Sequence, residues 1–147
     1  MAIPGIRLGY ALGDSCIIKK MWERKIPWSV NSFACNIGKA MTGNTAYFAE
    51  TAAWLAVEKE WLYNELVKMP QLNVFRPDTN FILMKIVDMD INSELLRTLM
   101  ISKGILIRDA SSFKSLNDRF VRIAIKDRKS NSRLVETLKQ VLNSEES

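Results

Sequence analysis

The sequence predicts a mixed α/β chain, with a small α+β domain in its C-terminal half and a long helical stretch before it. After Pro70 the order of short patterns is strand, strand, helix, strand, strand, helix, which is typical of a sheet covered by helices on one face. Residues 30–69 have helical periodicity almost throughout. The chain has 147 residues and is 48% apolar, which is enough to bury a core.

The first 31 residues predict a strand, a helix and a junction. Residues 6–12 alternate and are rich in β-forming types, which predicts a strand. Asp14 is an N-cap candidate for a helix that extends to about Lys25. Pro27 then interrupts the helix, because proline disfavours helical geometry in the residue before it. Ser29 is in position to cap the helix that follows.

The helical stretch at residues 30–69 has one predicted interruption near Gly43. Four apolar residues share one face at helical spacing: Leu55, Leu62, Leu66 and Met69. Trp54 and Trp61 lie beside this face, and we interpret them as packing residues of a core or an interface rather than as part of a cofactor site. A helix of this length usually braces two parts of a structure.

The C-terminal half contains four predicted strands and two predicted helices. The strands are residues 72–75, 81–87, 105–108 and 120–126, and the helices are residues 91–103 and 134–142. Leu95, Leu96 and Leu99 are expected to point inward from the first of these helices, and Gly104 ends it. In the last strand, alternation puts Arg122 on the face opposite the valine and isoleucines that we expect in the core.

The composition excludes several classes of site. There is no histidine, which removes the usual general base and most transition-metal sites. Cys16 and Cys35 are far apart in the sequence, so we expect two buried thiols rather than a disulfide or a zinc site. We therefore expect no metal site.

Charge and hydropathy limit the kinds of partner that the chain can have. No apolar run approaches the roughly 20 residues of a membrane span, and no targeting segment is evident, so we expect a cytoplasmic location and no membrane partner. The net charge of +5 suits an anionic ligand. The clustered basic residues lack the interleaved aromatic residues of a base-stacking surface, so we expect no nucleic-acid partner.

Three arginines lie in or beside predicted strands. Arg7 is in the first strand or just before it, Arg108 ends an apolar strand, and Arg122 is inside an alternating strand. A guanidinium group at a strand end can hold phosphate or carboxylate through two hydrogen bonds. We therefore expect a site for an anion held by Arg7. Alternation alone is equally consistent with Arg122 being an ordinary surface residue.

Five sequence blocks occur in the order seen in fold-type-I pyridoxal-phosphate enzymes. They are AIPGIRLGY at 2–10, PWSVN at 27–31, TNFIL at 79–83, GILIRD at 104–109 and FVRIAIK at 120–126. The chain resembles the C-terminal part of the threonine-phosphate decarboxylase family of cobalamin biosynthesis. All but the second block are also similar, in looser form, to the histidinol-phosphate aminotransferase family. Pro4 and the PWSVN block favour the decarboxylase.

The resemblance implies roles for four residues. Arg7 would bind the phosphate of pyridoxal 5'-phosphate, Arg122 the substrate α-carboxylate, and Arg108 the phosphate of a phosphorylated amino-acid substrate. Asn80 would have a supporting role in its loop. The implied reaction of the complete enzyme converts L-threonine O-3-phosphate to aminopropanol phosphate. An aminotransferase of the histidinol-phosphate type is the alternative, and a non-catalytic basic binding module is a third hypothesis.

The resemblance also implies a division of the chain and missing parts. Residues 1–42 would be a remnant of the cofactor-binding large domain, residues 43–69 the connecting helix and residues 70–147 the small C-terminal domain. The Schiff-base lysine of the family lies just upstream of the first block, so none of the catalytic residues would be present and the chain would be inactive alone. The expected partners are an N-terminal large domain, in the same polypeptide or as a separate chain, and a second copy in a homodimer.

Overall fold

The computed structural model describes residues 4–87 and 90–143. The chain divides into two compact units, Met1–Glu50 and Thr51–Ser147, which we call the first and the second unit. The first unit contains a 3-10 helix at Pro4–Ile6, helix α1 at Ser15–Glu23 and helix α2 at Ser32–Thr42. Helix α3, at Thr45–Leu66, begins in the first unit and continues into the second.

The predicted strand at residues 6–12 is wrong. The 3-10 helix ends at Ile6, and residues 7–12 that follow it are irregular and exposed. Arg7 has a φ of 55°, which is in the left-handed region of backbone space. That conformation interrupts the extended backbone that a strand requires. Alternation and β-forming residue types are therefore not sufficient to make this segment a strand.

The starts of α1 and α2 follow from side chains that cap them. The Asp14 carboxylate accepts a hydrogen bond from the Cys16 backbone N–H at 2.8 Å, as the prediction of an N-cap requires. The cap of α2 is Asn31, whose side-chain oxygen accepts from the Ala34 N–H at 2.8 Å. The prediction that Ser29 caps this helix is wrong, because a capping residue must directly precede the first helical residue, which is Ser32.

The interruption of the long helical stretch is confirmed, since α2 ends at Thr42 and α3 begins at Thr45. The predicted burial of the two cysteines is wrong, because both thiols are exposed. The reason lies in their helices. Helix α1 has no buried residue and α2 buries only Ala34, so neither helix offers a core position to a cysteine.

The second unit contains a four-stranded antiparallel sheet and two further helices. The strands are β1 at Leu72–Val74, β2 at Phe81–Ile86, β3 at Arg108–Asp109 and β4 at Phe120–Ala124, and the helices are α4 at Ser93–Ser102 and α5 at Arg128–Asn143. The spatial order is β1-β2-β4-β3. The predicted sequence of strands and helices is confirmed.

Two boundaries in the second unit differ from the predicted ones. Strand β3 has two residues instead of four, since only Arg108 and Asp109 pair with β4. Helix α5 begins six residues before Leu134, where the apolar periodicity starts. The Asp127 carboxylate accepts from the Ser130 N–H at 2.9 Å, which gives the helix a capped start inside a polar stretch.

The core of the second unit lies between one face of the sheet and the helices. The buried residues of the two central strands, β2 and β4, alternate as predicted: Ile82, Met84, Ile86, Val121 and Ile123. The buried apolar residues of these helices are Leu62 and Leu66 on α3, Leu96 and Met100 on α4, and Leu134, Val135, Leu138, Val141 and Leu142 on α5. Leu95 is exposed, contrary to the prediction, because α4 turns the Leu96 and Met100 face inward.

The predicted inner face of α3 is confirmed, with Met69 buried beyond the helix and Leu55 packed against the core. Of the two tryptophans, Trp61 packs against the core and Trp54 is exposed. None of the described helices is long and apolar enough to cross a membrane.

A buried polar network joins α3, α5 and the end of β4. Arg128 Nε lies 3.1 Å from both carboxylate oxygens of Glu58, which is 6% exposed. The buried Asn131 side chain donates to Glu58 at 3.0 Å and to the Lys126 carbonyl at 2.7 Å, and it accepts from the Lys126 N–H at 2.9 Å. These bonds satisfy a carboxylate that would otherwise be costly to bury. They also hold the chain just after β4.

Candidate functional site

The face of the sheet that points away from the helices carries the candidate site. Arg122 lies on this face in β4, between the buried Val121 and Ile123. In the register of the sheet, Arg122 is opposite Leu83 on β2 and opposite Arg108 on β3. The antiparallel pairing therefore brings together two arginines that are 14 positions apart in the sequence.

Arg108 and Arg122 are like charges at directly paired positions. In an antiparallel ladder the Cβ atoms of such a pair lie about 4.5–5.5 Å apart, and like charges there destabilise the sheet. In the part of the chain that the structure describes, no ion pair joins either guanidinium to a carboxylate. An anion bound at this face would relieve the repulsion.

Two phenylalanine rings hold these guanidinium groups. The Arg122 Cζ atom lies 4.3 Å from the ring centroid of Phe81 and 5.5 Å from that of Phe113. The Arg108 Cζ atom lies 5.9 Å from the centroid of the same Phe113 ring. A ring against the face of a guanidinium leaves its in-plane N–H groups directed at other partners. The arrangement suits two-point binding of a carboxylate or a phosphate.

Neither ring was among the predicted site residues. A sequence pattern could have identified Phe81, because alternation with the buried Ile82 puts its side chain on the same outer face as Arg122. No sequence pattern points to Phe113, since it lies in the irregular segment between β3 and β4. Only the folded loop brings it to the two arginines.

Asp109 fixes the start of that loop. Its carboxylate accepts hydrogen bonds from the Ser111 N–H at 2.8 Å, the buried Ser93 hydroxyl at 2.8 Å and the Ser111 hydroxyl at 3.0 Å. The Ser111 N–H, followed by the two hydroxyls and the positive charge of Arg108, lowers the pKa of Asp109 below its ordinary value. The Phe113 N–H then donates to the Ala110 carbonyl at 3.1 Å, which closes the first turn of the loop.

A cleft of about 390 Å³ opens beside Arg108. Its lining residues are Arg108, Asp109, Ser112, Glu94 and Arg97. The last two come from α4, and the sequence analysis did not single them out. The cleft leaves open space beside Arg108, and its lining combines two arginines with two carboxylates.

Cations and rings also alternate elsewhere on the outer face. The Lys85 ammonium lies 6.0 Å from the ring centroid of Phe120, and the Phe75 ring is stacked on Phe120 with centroids 6.1 Å apart. The linear sequence does not reveal this interleaving, because the paired residues come from different strands and the loop that follows β1.

Comparison with known proteins assigns the chain to a family. The model of the family described as aminotransferase class I and II matches residues 1–138. The chain belongs to this family. Its members include pyridoxal-phosphate-dependent aminotransferases and decarboxylases, and the predicted relationship to these enzymes is confirmed.

Two curated relatives are decarboxylases by name. A protein of Caldanaerobacter subterraneus subsp. tengcongensis, provisionally named threonine-phosphate decarboxylase, is 38% identical over 137 residues, which is 93% of this chain and 37% of that protein. Threonine-phosphate decarboxylase of Salmonella typhimurium is 33% identical over 142 residues, 96% of this chain and 38% of the relative. The chain thus spans less than two fifths of the length of these relatives.

A solved structure confirms the fold. The histidinol-phosphate aminotransferase from Clostridium acetobutylicum is 34% identical, with a TM-score of 0.88, and the match covers 97% of this chain and 43% of that one. The predicted fold class, a small α+β part of a fold-type-I pyridoxal-phosphate enzyme, is therefore correct.

The other two predicted site residues are Asn80 and Arg7. Asn80 directly precedes β2 and is exposed, and its carbonyl accepts from the Ile125 N–H at 3.0 Å. That bond extends the pairing of β2 and β4 beyond Ala124. Arg7 belongs to the first unit, where its exposed side chain follows the 3-10 helix.

Proposed function

We propose that the chain is the C-terminal part of a pyridoxal-phosphate-dependent enzyme that resembles threonine-phosphate decarboxylase. The complete enzyme would convert L-threonine O-3-phosphate to aminopropanol phosphate. The observation that carries the proposal is the direct pairing of Arg108 with Arg122 on one face of the sheet. A substrate with a carboxylate and a phosphate supplies one anion for each guanidinium.

The two arginines have different surroundings, and we assign them different anions. Arg122 is half-buried and held by two rings, so its hydrogen bonds to the α-carboxylate are sheltered from water and strengthened. Arg108 is exposed and borders the 390 Å³ cleft, which suits the larger phosphate group. Asn80 supports the site through its carbonyl, which binds the backbone that follows β4.

Arg7 is the proposed ligand of the cofactor phosphate. Pyridoxal phosphate, when bound, supplies an electron sink for cleavage of a bond at the substrate α-carbon. The fit rests on the donor set of Arg7: an exposed guanidinium that no ion pair joins to a carboxylate within the described residues. Such a group can donate two parallel hydrogen bonds to a phosphate.

The rest of the enzyme is the proposed partner of the first unit. That unit exposes large apolar side chains, among them Tyr10, Leu12, Trp28 and Phe33, and burial of such side chains against another protein surface is favourable. We propose that residues 1–42 dock on a large domain and that residues 70–147 form the small domain. Residues 43–69 would be the helix that connects the two. The chain spans 37–38% of the length of its curated relatives, and we propose that it is inactive without the remainder. We also propose that the complete enzyme is a homodimer, as the family resemblance implies.

A histidinol-phosphate-type aminotransferase is the second candidate. The Clostridium acetobutylicum structure of that name, at 34% identity, favours it. Arg108 would then bind the phosphate of histidinol phosphate, which has no carboxylate for Arg122. The two candidates differ in product, since the first releases carbon dioxide and the second transfers an amino group.

Anion binding by the 147-residue chain tests the site. Side-chain Nε–H signals of Arg108 and Arg122 in NMR spectra should shift on titration with O-phospho-L-threonine. Arg122→Lys should weaken binding about tenfold or more, because hydrogen bonds between charged groups contribute about 1.5–3 kcal/mol. Arg76→Gln is the control, since Arg76 pairs with Glu60 and should bind the ligand as the unchanged chain does. Arginine signals that do not respond would disprove the proposed site.

Turnover tests the reaction. With the large domain supplied, in the same polypeptide or as a separate chain, and with pyridoxal phosphate, O-phospho-L-threonine should release carbon dioxide. The chain without the large domain should release none. Transfer of an amino group to 2-oxoglutarate from histidinol phosphate, without decarboxylation, would support the second candidate instead. If the completed protein shows neither activity, both candidate functions are refuted.

A further inference from the structure

The ring of Phe113 contacts both arginines of the site. Its centroid lies 5.5 Å from Arg122 Cζ and 5.9 Å from Arg108 Cζ. Phe81, in contrast, contacts Arg122 at 4.3 Å and starts a strand on the other side of β4 from β3. The two rings therefore constrain the site differently: Phe81 acts on one guanidinium and Phe113 on the pair.

A shared ring matters because arginine side chains are long. Two guanidinium groups on directly paired residues can spread into solvent or converge on a single anion, since each has several rotatable bonds. Contact with one ring restricts both groups at once and so fixes the spacing between the two anions that they bind. A ligand whose carboxylate and phosphate match that spacing avoids the cost of ordering the two side chains.

The position of Phe113 is itself well defined. The loop begins at the Asp109 carboxylate, which three hydrogen bonds hold to Ser111 and to Ser93 on α4. Two successive turns follow, in which the Phe113 N–H donates to Ala110 at 3.1 Å and its carbonyl accepts from the Leu116 N–H at 3.0 Å. The backbone that carries the ring is therefore fixed by bonds that the ring does not make.

We propose that Phe113 is a specificity-determining residue, which positions Arg108 and Arg122 so that the site prefers a ligand with two anionic groups over a ligand with one. This inference rests on the proposed function of the two arginines. Phe113 acts through the arginines and needs no contact with the ligand.

The test compares three ligands on the 147-residue chain. O-phospho-L-threonine carries both anions, L-threonine the carboxylate alone and inorganic phosphate the phosphate alone. Dissociation constants come from NMR titrations of the Arg108 and Arg122 Nε–H signals. The methyl signals of the buried Val121 and Ile123 report that each variant is folded. Because Phe113 is 40% exposed, its replacement should leave the core intact.

The preference for O-phospho-L-threonine over each single-anion ligand should fall about two- to fivefold in Phe113→Leu, the range expected for losing exposed cation–π contacts. Phe113→Tyr keeps the ring and should keep the preference. Phe81→Leu is the matched control on the same face. It should weaken O-phospho-L-threonine and L-threonine by the same factor, so that their ratio is unchanged.

The outcomes separate the two proposals. If neither arginine responds to any ligand in the unchanged chain, the proposed function fails and the role of Phe113 fails with it. If the arginines respond and Phe113→Leu keeps the full preference, only the role of Phe113 is refuted. A loss in Phe113→Tyr equal to that in Phe113→Leu also refutes it. Should Phe113→Leu lose the methyl signals, Phe113→Met replaces it under the same criteria.

Discussion

The two units of the chain contain similar apolar residues but bury them very differently. In the second unit, α3, α4, α5 and the sheet enclose a continuous core that includes Leu62, Met84 and Leu138, all fully buried. In the first unit, Ala34 is the one buried apolar residue of the part that the structure describes, while Leu12 is 89% and Trp28 98% exposed. Amphipathic patterns in a sequence therefore do not reveal whether the apolar face has a partner.

The difference in burial also explains why the candidate site is better defined in the second unit than in the first. In the second unit a sheet with a buried face fixes the direction of every side chain on the opposite face, so Arg108 and Arg122 meet at defined positions. Arg7 sits in a segment without such support, and its place follows from local backbone geometry. Four predictions test the buried interior of the second unit and the exposed surface of the first.

The largest effect should come from one substitution made in both units. Leu138→Ala removes a fully buried side chain of α5 and should lower the free energy of unfolding by about 2–5 kcal/mol through lost burial and a cavity. Leu12→Ala, in the first unit, should change it by less than about 0.5 kcal/mol. Urea denaturation followed by far-UV circular dichroism measures both. Equal effects would mean that the units do not differ as described.

Removal of the buried Asn131 amide should lower the free energy of unfolding by a smaller amount. Asn131→Ala deletes the bonds to Glu58 and to the Lys126 backbone, and leaving buried partners unsatisfied should lower the free energy of unfolding by about 1–3 kcal/mol. Asn64→Ala is the control, because its 3.4 Å bond to Glu60 is exposed. A urea midpoint that Asn131→Ala leaves unchanged would contradict a stabilising role for the network.

The effect of Asp109 should depend on pH. Its folded-state pKa is depressed, so its contribution to stability is fully present above the unfolded-state pKa of about 3.9. The contribution disappears as the pH falls through the lower folded-state value. Asp109→Asn should therefore be less stable than the unchanged chain by about 1 kcal/mol at neutral pH, and the two should converge in acid.

Urea midpoints measured across this pH range test the Asp109 prediction. In the first unit, Asp14→Asn serves as the comparison, because asparagine caps a helix about as well as aspartate, and its stability at neutral pH should match that of the unchanged chain. A gap between Asp109→Asn and the unchanged chain that stays constant into acid would show that the carboxylate charge has no part in the effect.

The smallest effect should come from the two thiols of the first unit. Cys16→Ser and Cys35→Ser should each change the free energy of unfolding by less than about 0.5 kcal/mol, because both side chains are exposed. The native chain should react at both positions with a thiol reagent without denaturant. Thiols that react only after urea is added would contradict the exposed surface of the first unit.

Most predictions that depended on local chemistry succeeded, the Ser29 cap being the exception. Asp14 caps α1 by a bond within its own turn, and Gly104, with a φ of 73°, follows the end of α4 as expected of a residue that tolerates the left-handed region. Alternation correctly separated Arg122 from Val121 and Ile123. Each of these signals spans a few residues, so the sequence contains all the partners.

Predictions that depended on a distant partner failed. The alternating residues 6–12 do not form a strand, since alternation fixes two faces but supplies no neighbouring strand. Leu95 is exposed because the orientation of α4 is decided by the elements it packs against, and these favour Leu96 and Met100. The start of α5 was missed for a different, local reason: its first turn is polar and is held by Asp127 rather than by burial.

The sequence by itself determined the family, the order of the elements after Pro70 and the arginines of the proposed site, because these are written in residue types at short spacings. Only the tertiary structure decided that Arg108 faces Arg122 and that the Phe113 ring touches both. The physical reason is that strand register and loop conformation are set by burial and hydrogen bonds between distant residues. The same long-range packing gave the second unit a closed core and left the apolar side chains of the first unit on its surface.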